Sequence, residues 1–162
     1  MPFLPENFVV PRLLETARVR LRPLVVADVV KDYEAVMSSR TNLWRLFGAA
    51  WGWPAETLTL EDDCRQLAWH EKEFETRSSF DYVVMSLDES QVLGCVYVDP
   101  PTKQGFEAEV YFWVRDSELP TGLEGHLSDT VRQWITTSWP LARVAYPGRD
   151  IPWSDWDALP ER

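Results

Sequence analysis

Apolar and polar positions alternate over residues 17–24, where Val19 and Leu21 sit between Arg18, Arg20 and Arg22. Strict alternation marks a half-buried strand, and Pro23 puts its end, or a sheet edge, at that point. The period then changes. Val26, Val29, Val30, Tyr33 and Met37 recur at helical spacing, which predicts an amphipathic helix whose polar outer face includes Asp28, Lys31, Asp32 and Glu34. Residues 40–54, rich in Gly and Trp, read as a loop holding about one helical turn. Thr59 and Asp62 form a capping-box start, and Leu60, Cys64, Leu67, Glu71 and Phe74 continue a second helix to about residue 77.

Three strands are expected next. Phe80, Tyr82 and Val84 alternate with Asp81, Val83 and Met85, and Asp88-Glu89-Ser90 supplies a turn. Residues 92–98 are apolar on both faces, as in a central strand. Residues 107–114 put Glu107, Glu109, Tyr111 and Trp113 on one face and Ala108, Val110, Phe112 and Val114 on the other. A helix over 122–138, with Leu123, Leu127, Val131, Trp134 and Ile135 as its stripe, and a short strand over 141–146 complete the order βααβββαβ. Residues 1–15 are an irregular lead-in and 147–162 a Pro- and Trp-bearing tail. With no repeat and no linker, the 162 residues are expected to form a single α/β (α+β) domain, a mixed and mostly antiparallel sheet flanked by helices.

Charge narrows the partners. Twenty-six acidic against 16 basic residues give a net charge of −10, which argues against a nucleic-acid partner and leaves either simple solubility or attraction of a basic substrate. Cys64 and Cys95 lie in apolar-patterned segments without zinc spacing and read as free thiols. No apolar run is long enough for a membrane span and the start lacks a signal-peptide pattern, so a cytoplasmic protein is expected. Nine tryptophans include Trp44, Trp51, Trp53 and Trp69 in one stretch, which suits either core packing or a pocket wall.

Three segments carry a family resemblance: ETARVRLRPLVVAD at the opening strand, VLGCVYVD at the third strand, and AEVYFWVRD at the fourth. In order and spacing these resemble the GNAT superfamily of N-acetyltransferases over about residues 15–146, the fourth strand being similar to that of its ribosomal-protein alanine acetyltransferase branch. The resemblance implies acetyl-CoA as co-substrate. Its pantetheine arm would pair with the fourth strand, and its pyrophosphate would meet the amides opening the following helix. It implies cofactor contacts from Trp113, Val114, Arg115, Thr121, Gly122, Leu123, Gly125 and His126. Glu109 would be the general base, and Trp44, Trp51, Trp53 and His70 would lie along the acceptor site. The acceptor would be an amine of a small molecule or a peptide.

Two departures stand beside that resemblance. Where the family has Q/R-x-x-G-x-G/A, this chain has Leu119-Pro120-Thr121-Gly122-Leu123-Glu124-Gly125, with Leu119 and Glu124 at the altered positions. The pattern is also expected to be truncated after the fifth strand, with the tail in place of the family's later helix and hairpin. A non-catalytic ligand-binding or interaction protein is therefore the alternative to an N-acyltransferase. Glu109 has a second reading as an exposed strand residue, and His70 one as an ordinary helix-surface residue. His70 and Glu73 at i,i+3 make at most a partial metal pair. An open sheet edge would favour a homodimer.

Overall fold

The computed structural model describes residues 2–162. Six strands form one sheet in chain order: β1 (Leu14–Glu15), β2 (Arg20–Pro23), β3 (Phe80–Met85), β4 (Val92–Asp99), β5 (Ala108–Val114) and β6 (Val144–Ala145). Neighbours are antiparallel from β1 to β5, and β6 alone runs parallel to β5. This is the expected mixed sheet, with a short extra strand before the one predicted first.

Helices α1 (Val29–Ser38) and α2 (Arg40–Trp51), with the first half of α3 (Leu60–Glu75), cover the sheet face that carries Val83, Met85, Cys95 and Trp113. Helix α4 (Leu123–Ser138) covers the opposite face, where its predicted stripe meets Tyr82, Val96 and Phe112. Each fully buried large side chain in that stripe contributes roughly 1.5–3 kcal/mol. The lead-in is irregular, as expected, but packed: Leu4 is buried, and Phe3 stacks on Phe80 with ring centres 5.9 Å apart.

Two expectations are corrected. Asp28 and Asp32 are buried rather than on an outer face. Asp28 takes a bidentate hold from Arg22 at 2.7 and 2.9 Å, and Asp32 accepts from the Cys95 thiol at 3.6 Å. Partners inside the fold permit this burial: Asp32 shares the buried side of α1 with Ala35 and Val36, while Val30 is exposed. The stretch after residue 40 is a helix of 12 residues rather than a loop. Leu43 and Phe47 bury one face, and Gly52 ends it in the left-handed region, its N–H bonding the Gly48 carbonyl at 2.8 Å. Gly48 itself lies under Trp44, where a Cβ would come within 2.6 Å of the indole.

The predicted last strand shrinks to two residues. The Tyr146 carbonyl turns to accept from the amides of Arg149 at 3.1 Å and Asp150 at 3.0 Å, and Pro147 has no N–H to offer a ladder. The chain therefore leaves β5 after Glu109, the last residue in register with β6. The tail is ordered. It contains α5 (Trp153–Asp157), and the Trp153 indole donates to the Leu46 carbonyl at 2.9 Å.

Candidate active site

Beyond Glu109, β5 has no strand partner on the β6 side. The Phe112 carbonyl points into that gap. By the strand period of two, Val110 and Val114 turn their backbone groups the same way while Trp113 turns its own toward β4. Of the two strand residues assigned to the cofactor, Val114 thus lies on the open side. Trp113 is fully buried, its indole donating to the Tyr97 hydroxyl at 2.8 Å. Arg115 is turned away: its guanidinium, 6 % exposed, is held by Glu34 at 2.7 and 2.8 Å.

The gap leads to the start of α4. Gly122 is its N-cap at φ 76°, a conformation that favours glycine. No side chain caps this end, so the amides of Leu123, Glu124 and Gly125 face outward without intrahelical acceptors. A Cβ at Gly122 or Gly125 would meet nothing within 4 Å. Such a terminus suits an anion.

The basic groups around it come from distant positions. Arg18 donates to the Thr121 hydroxyl at 3.1 Å and to its carbonyl at 3.3 Å. The His126 ring meets the Thr16 hydroxyl at 2.9 Å. Arg149 reaches Glu124 at 3.7 Å, so the acidic substitution in the loop is partly neutralised. The same Arg149 donates to the Phe112 carbonyl at 2.6 Å, inside the gap.

On the helical side of the sheet lies a cleft of about 950 Å³. Its floor consists of two cross-strand rows, Asp81–Tyr97–Tyr111 and then Asp99–Glu109. Seven carboxyl groups line it (Asp32, Asp62, Asp63, Glu73, Asp81, Asp99 and Glu109), against two basic side chains, Arg65 and His70. Trp51, Trp53 and Trp69 form aromatic wall. Trp51 stacks on Phe47 at 4.4 Å and stands edge-on to Tyr111 at 4.8 Å. Trp44 does not line the cleft; it is 45 % exposed beside Gly48.

Glu109 lies on the cleft floor and is 4 % exposed, which removes its reading as an outward strand residue. It accepts from the Thr102 amide and hydroxyl, the latter at 2.6 Å, and from the Tyr111 hydroxyl at 2.6 Å. Burial, followed by the Glu109 carboxylate, raises the Tyr111 phenol far above its ordinary value, so its proton is firmly held.

His70 is in contact with Asp81 and lies 3.5 Å from Glu73. Burial works against the imidazolium, but Asp81 and then Glu73 outweigh it, and the pKa rises to about 9. The three residues bring one ligand atom each to within 4.8 Å of the others, so Asp81 completes the partial metal pair seen in sequence. The imidazolium offsets one of the two carboxylate charges beside it.

Sequence reading missed Arg18, Arg149, Asp63 and Asp81 as site groups. Only Asp81 left a local signal, a carboxylate set among the apolar residues of FDYVVM.

No protein-family model matches the sequence, and no curated relative matches it. Among solved structures, the chain resembles a ribosomal-protein-S5-alanine acetyltransferase from Vibrio fischeri, with 19 % identity, a TM-score of 0.65, and coverage of 85 % of this chain and 75 % of that one. It also resembles the ribosomal L7/L12 alpha-N-protein acetyltransferase RimL in complex with coenzyme A, with 12 % identity, a TM-score of 0.61, and coverage of 75 % and 67 %. The microcin C7 self-immunity acetyltransferase MccE, in complex with acetyl-CoA and AMP, gives 11 % identity, a TM-score of 0.60, and coverage of 80 % and 71 %. A mostly antiparallel sheet opening after Glu109, a glycine-led helix beyond the opening and these likenesses agree: the chain has the fold of the GNAT acetyltransferases.

Proposed function

We propose that the protein is an acetyl-CoA-dependent N-acyltransferase acting on an amine of a small molecule or peptide. The observation that carries this reading is the meeting of two features at the Glu109–Tyr111 end of β5: the unpaired strand edge opens there, and the acidic cleft ends there. Acetyl-CoA supplies an acetyl thioester. The free edge of Phe112 and Val114 suits its amide-bearing arm, and the open amides of Leu123, Glu124 and Gly125 suit its pyrophosphate.

Arg149 adapts the site to that ligand. In the free protein it satisfies the Phe112 carbonyl. With an anion at α4 it swings to the phosphate, forms charge-assisted bonds there and releases the carbonyl to the arm.

The acceptor enters as an ammonium, drawn by the cleft carboxylates. After losing one proton, its nitrogen forms the C–N bond to the acetyl carbon while the C–S bond breaks. The thiolate takes up a proton, so the reaction yields amide, thiol and one released proton. Glu109 is the terminal proton acceptor, reached through the Tyr111 hydroxyl, which passes its own proton to Glu109 as it receives one from the amine.

The second reading, a non-catalytic ligand-binding protein, is favoured by one specific observation: Arg149 occupies the gap that the arm requires. Thiol release with purified protein, acetyl-CoA and a panel of amines separates the two readings. Steady turnover supports the enzyme, whereas no release with any amine at millimolar concentration supports the binder.

A further inference from the structure

The two carboxylate oxygens of Glu109 have different partners. Oε1 accepts from both the amide and the hydroxyl of Thr102, the hydroxyl at 2.6 Å, and Oε2 accepts from the Tyr111 hydroxyl at 2.6 Å. The last torsion of a glutamate is broad and roughly two-fold, so its donors, not its rotamer, fix where the oxygens lie. Tyr111 stands on β5 itself. Thr102 lies in the connection between β4 and β5, outside any strand, so its aim depends on what holds that connection.

The hold comes from the segment that begins with α5. The Thr102 carbonyl accepts from the Arg162 amide at 2.8 Å, and the Gln104 amide donates to the Pro160 carbonyl at 2.9 Å. Between them, Lys103 and Glu161 form an antiparallel bridge. Lys103 is 5 % exposed; its ammonium pairs with Glu161 and donates to the Leu159 carbonyl at 3.2 Å. A buried ammonium is costly without such partners, so this knot keeps the segment down. Upstream, Trp156 is buried against Phe106 of the same connection, with ring centres 5.5 Å apart. Trp153 meets the other member of the couple: its indole stacks beside the Tyr111 ring at 6.2 Å, the planes 11° apart, while its N–H is tied to the Leu46 carbonyl.

We propose that residues 153–162 are a positioning strap for the proton acceptor, with Trp153 fixing the Tyr111 ring and the Lys103–Glu161 knot fixing Thr102 on Glu109. Thr102, Lys103 and Trp153 are then positioning residues, acting through Glu109 and Tyr111. Proton transfer needs donor and acceptor within about 2.6–3.2 Å, and a misplacement of about 1 Å can cost a hundredfold in rate. A carboxylate pinned by two donors on one oxygen presents the other to the phenol. The effect on rate rests on the acyltransferase reading; the hold of the strap on Thr102 does not.

The test uses the full chain and two readouts: thiol release with acetyl-CoA and an amine, and hydrogen exchange at single backbone amides. Thr102→Val should lower kcat about tenfold with the KM for acetyl-CoA unchanged, and Thr102→Ser should keep the wild-type rate. Lys103→Met should lower kcat about threefold or more and speed exchange of the Thr102 amide about tenfold, with the amides of α4 unmoved. Neither Thr102→Val nor Lys103→Met should cost anything further once Glu109→Gln is present, and Trp153→Leu should likewise be silent once Tyr111→Phe is present. An unchanged rate in Thr102→Val, losses that persist in the Glu109→Gln background, or unmoved Thr102 exchange in Lys103→Met would overturn the inference. If Lys103→Met fails to fold, the Thr102 variants decide. Absence of thiol release from the wild-type protein with any amine would contradict the acyltransferase, and the strap is then judged on Thr102 exchange alone. Steady turnover with a wild-type Thr102 amide that exchanges as fast as an open loop would keep the enzyme and remove the strap.

Discussion

The guanidinium of Arg149 donates to the carbonyl of Phe112 at 2.6 Å and lies over the Phe112 ring at 3.7 Å from its centre. One side chain from the turn after β6 thereby closes the opening that this turn creates. If Arg149 moves to the pyrophosphate on binding, Arg149→Ala should weaken acetyl-CoA about tenfold, some 1.4 kcal/mol, with Arg149→Lys in between. Titration of the variants decides this. Tighter binding by Arg149→Ala, or binding only in that variant, would make Arg149 a plug.

Glu109 holds Tyr111 as a proton acceptor would. Glu109→Gln should lower the rate of transfer by about a hundredfold or more at neutral pH, with thermal unfolding nearly unchanged, because the amide still accepts one of the hydrogen bonds. Tyr111→Phe should show a loss of similar size. Rates of thiol release for the two variants and the double variant test the relay. Losses that multiply in the double variant would show that the residues act separately.

Gly94 is required by packing. An added Cβ would sit 2.0 Å from the Trp113 carbonyl oxygen, which belongs to the neighbouring strand and cannot rotate aside. Gly94→Ala should destabilise the fold by about 3 kcal/mol or more. Urea unfolding gives the value, and a loss below 1 kcal/mol would show that β4 and β5 shift freely.

Burial is outweighed by Asp81 and Glu73, which raise the His70 imidazole from its ordinary 6.5 to about 9 in the folded protein. A raised pKa in a base adds stability that is complete below the unfolded value and lost as pH rises through the folded one. Stability should therefore fall between about pH 6.5 and 9 in the wild type. Asp99 is pushed up to about 7 by burial and then by Asp81, and for it, too, stability declines from the ordinary carboxylate range up to that pH. Thermal unfolding across this range checks the sign, and His70→Gln should flatten the alkaline part.

Much of the fold was legible because its signals are local. The Thr59–Asp62 capping box closes as spacing predicts, with the Asp62 amide donating to the threonine hydroxyl at 3.1 Å and the Thr59 amide to the carboxylate at 3.0 Å. The Leu123–Ile135 stripe is buried as its period requires. Asp28 and Asp32 were misplaced on the outer face of α1 because they find partners on other elements, at Arg22 and at Asp63 and Cys95. Helix α2 was missed because Gly48 serves the packing of Trp44 rather than a turn. At the site, Glu109, Trp51, Trp53 and His70 line one cleft, while Trp44 lies outside it. Arg18 and Arg149 were invisible because they approach the loop from 103 residues before Thr121 and from beyond the last strand.

The central claim is that the gap beside β5 and the open start of α4 together hold acetyl-CoA. Isothermal titration of the full chain with acetyl-CoA tests it most directly. The account predicts one saturable site per chain, a raised melting temperature, and loss of both on Gly122→Glu, which puts a charged side chain where the α4 amides open. No heat and no thermal shift at millimolar acetyl-CoA would contradict it.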